Sequence, residues 1–179
     1  MISKKELKDL LVKAESIIND ENKRAKDCIL VLLFFKYLND IYDEHMERIK
    51  KEFAGDERSI NGKISRFPPM FYADSMFSYY YKNRQNTDII GLVKFGMQKF
   101  KNNHKNDAWL SSVFTAINLD HVVHAYLDKV EPVVIRELLV LFNNYDLTGQ
   151  EDYDVFGTAF EYFYEWKYTF QSFREYIGM

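Results

Sequence analysis

Proline and glycine are scarce in this chain, at three and seven of 179 residues. A β-sandwich or barrel draws its many tight turns from those residues, so such folds are excluded in favour of helices. A single cysteine, Cys28, leaves no internal disulfide framework, and a reducing cytosol is the expected compartment. No long apolar run exists either. The longest, residues 28–35, has eight residues, whereas a membrane span needs about 20. Nor is there a signal segment, because Glu6, Lys8 and Asp9 interrupt the stretch behind Met1-Ile2-Ser3-Lys4-Lys5. The expectation is a soluble, cytoplasmic protein. Excess positive charge is missing as well: 24 basic against 27 acidic residues give a net charge of −3. Phosphate neutralisation supplies most of a free-standing DNA binder's affinity, so strong independent DNA binding is not expected.

What the chain has in abundance is apolar and aromatic surface. Hydrophobic residues make up 47% and aromatics 17%, which excludes disorder over most of the length. A chain this long ordinarily makes one domain around a real core. Ser3-Lys4-Lys5-Glu6 has capping-box spacing, and Leu7, Leu10, Leu11, Ala14, Ile17 and Ile18 then recur at helical period. The strongest helix covers residues 24–53. Over 28–35 it is apolar nearly all round, as befits the middle of a bundle, and beyond Asp43 only Met46, Ile49 and Phe53 keep an apolar face. Gly55 suits the left-handed end of that helix. Residues 55–69 read as a polar loop, with Pro68-Pro69 as an extended lead into an aromatic patch over 70–81. Further helix starts lie at Thr87-Asp88, Asp107 and Pro132. Residues 118–131 are either a turn of helix or a loop around His121 and His124. The last helix begins near Asp154, with Phe170, Phe173 and Ile177 as its continuation. No repeat, low-complexity tract or interdomain linker interrupts the pattern. The expected fold is all-α, a single multi-helix bundle domain over residues 1–179.

Candidate chemistry is thin. Phe67-Pro68-Pro69-Met70 has the outline of the Asn-Pro-Pro-Tyr type of motif of amino-methyltransferases. Phe67 cannot hydrogen-bond an exocyclic amine, and Met70 offers no aromatic face to a flipped base. A glycine-rich strand-to-helix turn for a methyl donor is also missing, since Phe95-Gly96-Met97 lies inside a helical pattern. His121 and His124 are one helical turn apart, and Asp120 and Asp128 could add oxygen ligands. That spacing lacks a second tight pair, so packing or solvated histidines are the expectation, for His45 and His104 too. Cys28, among Ile29, Leu30 and Val31, reads as a small hydrophobe. Asp43/Glu47 and Glu161/Glu165 stand at helical spacing on charged faces. No catalytic, cofactor-binding or metal-binding residue is assigned. Charge is uneven, however. Lys94, Lys99, Lys101, His104 and Lys105 form one basic stretch, and Arg48, Lys50, Lys51, Arg58, Lys63 and Arg66 another, while 151–165 is acidic. Lys94, Lys99, Lys101 and Lys105 are the preferred DNA-contact candidates, with solvated helix ends as the competing reading.

Five blocks resemble a known family. Residues 10–18 are similar to its opening helix. Leu33-Phe34-Phe35-Lys36-Tyr37-Leu38-Asn39-Asp40, within 27–44, resembles its most recognisable helix, an apolar run closed by Lys-Tyr-x-x-Asp. Residues 89–116 carry an early Gly91 and then Leu110 and Phe114, and 136–147 ends in an Asn/Asp-rich break. Asp154-Val155-Phe156-Gly157 and Phe160-Glu161-Tyr162 match a closing signature. The family is the N-terminal helical domain of the modification (methylase) subunit of type I restriction-modification systems. The resemblance implies a non-catalytic domain that packs on the methylase catalytic domain, meets the specificity subunit and helps close the complex around DNA. S-adenosylmethionine and adenine methylation belong to that separate catalytic domain, so no cofactor is expected here. The Gly-x-Phe-Tyr-Thr-Pro type of segment that leads into the methyl-donor site does not occur in 166–179. A truncated or split methylase, an isolated N-terminal piece and a diverged stand-alone regulator of antirestriction type all fit that departure. A helical interaction protein unrelated to restriction is the remaining reading.

Overall fold

The computed structural model describes residues 2–19, 23–65, 73–148 and 154–164. Its helices are α1 (Lys4–Ile18), α2 (Lys23–Glu52), α3 (Glu57–Ser65), α4 (Phe77–Lys82), α5 (Ile89–Asn103), α6 (Ala108–Ala116), α7 (Leu119–His121), α8 (Pro132–Asn143) and α9 (Val155–Tyr164). A 3-10 turn, Ala73–Ser75, precedes α4; a π turn, Val122–Tyr126, and a 3-10 turn, Leu127–Lys129, follow α7. No strand occurs among the described residues. The all-α expectation holds, and no helix is long and apolar enough to cross a membrane among those residues.

The ends of these helices follow from their sequences. Ser3 Oγ accepts from the Glu6 amide while Glu6 accepts from the Ser3 amide, closing the capping box on α1. Asp88 and Asp107 accept from the amides of Gly91 and Leu110, satisfying amides that α5 and α6 would otherwise leave bare. Gly55 ends the α2 turn at φ +83. One expectation fails: residues 57–65 are helical, not loop. Asp56 caps α3 through both the amide and the hydroxyl of Ser59. Only Ile60 and Ile64 stand at helical spacing in it, and Ser59, Asn61 and Gly62 are weak helix formers, so the segment reads as a polar loop. Residues 119–129 resolve to helical turns throughout, separated from α6 by left-handed Asn118 at φ 60. The Phe67-Pro68-Pro69-Met70 segment and the continuation of α9 past Tyr164 lie outside the described residues.

Helix α2 is the axis of the bundle, packing on α1, α3, α4, α8, α9 and the π turn. Every residue from Cys28 to Asn39 is buried. Phe34 meets Phe156 at 5.3 Å and Phe114 at 6.3 Å between centroids, and Phe35 meets Phe100 at 5.4 Å. Polar groups within this helix are clasps. Asp27 accepts from Asn118 Nδ2 at 3.0 Å and from the hydroxyl of Tyr164. Asn39 Oδ1 accepts from the Ser78 amide at the start of α4. Lys36 donates to Asp40 at 2.5 Å, and the other oxygen of Asp40 takes the Leu147 amide at 2.8 Å. Burial pushes the Asp40 carboxyl above its ordinary range, with Lys36 pulling the other way. From Leu147 the chain runs to Thr148, whose carbonyl accepts the Ile2 amide at 3.0 Å. The Lys-Tyr-Leu-Asn-Asp run thus fastens α4, the 146–148 loop and the amino-terminal strandlike residue to one helix.

Candidate nucleic-acid interface

The four lysines singled out in the sequence lie on α5 and just beyond it. Helix α5 presses on the 3-10 turn at Ala73–Ser75 because Gly96 has no side chain there. A Cβ on Gly96 would stand 2.4 Å from the Asp74 carbonyl oxygen and 2.5 Å from the Tyr80 hydroxyl. That close approach sets the Asp74 carboxylate against Lys99, at 3.0 and 3.1 Å. Lys94 pairs with Asp128, at 2.7 Å, in the 3-10 turn before α8. Lys101 pairs with Asp120 of α7. Lys105 is exposed and makes no ion pair among the described residues. Three of the four candidates therefore carry an aspartate drawn from another element, and the basic stretch is locally neutralised. Asp120 and Asp128, weighed above as metal ligands, are two of those partners.

The histidines do other work. His104 is buried, its Nδ1 2.8 Å from the Phe100 carbonyl and its ring 4.3 Å from the Phe100 ring. His121 Nδ1 lies 3.1 Å from Asn118 Oδ1. The amide of Asn118 is oriented by Asp27, a carboxylate that accepts from Nδ2, so the oxygen faces His121 and Nδ1 carries the proton. Among the described residues, no three His, Cys, Asp or Glu side chains converge as a metal site. Cys28 is buried within α2.

Between the end of α5, α6 and α7 lies a hollow of about 320 Å³. Lys101, Lys105, Thr115, Asn118, Asp120 and His121 supply its polar lining, with Phe114 and Leu119 also contributing to its walls. The second basic group lies on the last turns of α2 and on α3, where Lys50, Lys51, Arg58 and Lys63 stand on largely solvated faces beside Arg48. Its positive field is felt at His45, held below the usual imidazole range by burial first and then by Arg48 and Lys63. Arg66 lies outside the described residues. A contrasting acidic cleft, lined by Asp40, Asp43, Glu44, Glu47 and Asp146, opens beside the Thr148 loop. Sequence reasoning missed Asp74 altogether, because it precedes Lys99 by 25 residues with no local signal linking them.

The family model described as the HsdM N-terminal domain matches residues 8–142. No curated protein and no solved structure matches. The matched range takes in most of the α2 clasp, α5 with its lysines, and nearly all of α8.

Proposed function

We propose, from the premise that the chain belongs to the HsdM N-terminal domain family, the helical front part of the type I methylase subunit, that it acts in subunit docking and closure around DNA. The match over residues 8–142 carries this reading. It is supported by the way the buried polar groups of α2 are engaged in fastening helices together, which leaves the outer faces for partners. The partners are the specificity subunit and the methylase catalytic domain, with residues 1–179 acting as one helical unit. Methyl transfer and S-adenosylmethionine belong to the catalytic domain; a methyl donor would find no glycine-rich cradle in α5, where Gly96 is packed against Asp74 and Tyr80. Duplex DNA is held weakly and without sequence preference, through the α5 side of the domain. Lys94, Lys99, Lys101 and Lys105 are the contacts, positioning the backbone and not reading bases.

Co-expression of the full chain with a specificity subunit and a separately encoded catalytic domain tests the docking half. All three should copurify, and methylation of a target duplex should fall when this chain is left out. Full methylation without it, or no retention by either partner, would overturn the reading.

A further inference from the structure

We propose that the hollow between the end of α5 and α7 is a site for a single phosphate group, and that the Asp120 carboxylate occupies it in the free chain as a displaceable stand-in. Where the phosphate comes from rests on the DNA reading above; the site itself does not.

Three observations converge on this hollow. First, it collects cationic and polar groups in one concavity: Lys101 from the last turn of α5 and Lys105 from the turn just beyond it, with Thr115, Asn118 and His121 on the same lining. A flat solvated helix end would spread them. Second, Lys101 is already engaged by an anion, the carboxylate of Asp120, while Lys105 makes no ion pair among the described residues. A carboxylate on a lysine has the charge and acceptor oxygens that a phosphodiester oxygen would bring. The Asp120 side chain is 62% exposed against 26% for Lys101, so the pair is largely solvated and its carboxylate is readily displaced. Third, Asn118 and His121 in the lining are held by hydrogen bonds. Asn118 is fixed by buried Asp27, and it fixes the proton of His121 on Nδ1. That leaves Nε2 as the ring nitrogen not engaged by Asn118. Two lysine ammonium groups together offer a phosphate more donors than the single ion pair that Asp120 gives up.

Such exchange makes the site selective. An anion binds only if it outcompetes Asp120, which lowers the affinity for stray polyanions. A phosphate presented by DNA already held by partner subunits has the effective concentration to displace it.

The test uses the full chain, inorganic phosphate as one probe and a blunt duplex as the other. Amide and His121 ring resonances are followed by NMR during phosphate titration. Saturable shifts at Lys101, Lys105 and His121, tightened in Asp120→Asn and lost in Lys105→Ala, are expected. Asp9→Asn, an equal charge change on the exposed face of α1, should leave them unmoved. On the duplex, Asp120→Asn should tighten binding roughly fivefold and steepen the salt slope by about 0.9, beyond any change in Asp9→Asn. Phosphate shifts that miss these residues, or equal effects of the two Asp→Asn changes, would overturn the site. Phosphate binding as described with no duplex binding in any variant would keep the site and remove the DNA reading.

Discussion

Lys36 and Asp40 stand one turn apart on α2 with side chains 8% and 11% exposed, and the pair carries both a charge and a loop. Truncation of one partner strands the other. Asp40→Ala should cost about 3 kcal/mol or more in urea denaturation, because it leaves a buried ammonium and the Leu147 amide without an acceptor. Lys36→Met with Asp40→Leu should recover part of that loss; a single variant as stable as the parent would show that the pair does not fasten the loop. Tyr162, in the closing signature, donates to Glu15 of α1 at 2.7 Å. Burial first, then the hydrogen bond and charge of Glu15, push its phenol up to about 12. Because the folded-state value is raised, the stabilisation is full below the ordinary tyrosine value of about 10 and fades as pH rises through about 12. Tyr162→Phe should therefore cost about 1 kcal/mol near neutral pH, with a gap to the parent that narrows in alkali. A gap constant with pH would contradict this. Neither role is visible from residue type alone: the signature residues are recognisable in the sequence, but Glu15 lies 147 residues away.

At the scale of elements, what was legible is what local chemistry decides. The capping box at Ser3, the caps at Asp88 and Asp107, the left-handed Gly55 and the all-apolar run in α2 each depend on a few neighbouring residues. Helix α3 escaped because Ile60 and Ile64 alone give too short an apolar period among Ser59, Asn61 and Gly62, and its cap at Asp56 resembles any polar turn. Gly96 reads as an ordinary weak point inside a helix until the 3-10 turn is seen lying against it. Gly96→Ala should destabilise by about 1–3 kcal/mol, since backbone oxygen and the buried Tyr80 must give way. Gly91→Ala should be milder: its obstruction is the Asp88 side chain, which can swing out at the cost of a cap worth ~1 kcal/mol, offset by alanine's helix preference. Thermal melts that rank the two the other way would refute the packing origin of Gly96. Leu33→Asp, placing a charge at a fully buried position of α2, should cost over about 4 kcal/mol or abolish folding.

For the whole molecule, the four DNA-contact candidates were readable as a basic stretch, yet their electrostatic setting was not. Asp74, Asp120 and Asp128 are set against them by the fold, so the charge offered to a polyanion is smaller than the lysine count implies. A net charge of −3 and paired lysines are consistent with a domain that closes on DNA already held by its partners. The most direct measurement is duplex affinity of the full chain against salt concentration, for two unrelated sequences, with and without Lys99→Ala, Lys101→Ala and Lys105→Ala combined. Weak binding, equal for both sequences and steep in salt, is expected, with the triple variant weaker on both and flatter in slope by up to about 2–3. Tight, sequence-selective binding, or a triple variant with an unchanged slope, would contradict closure around DNA through α5.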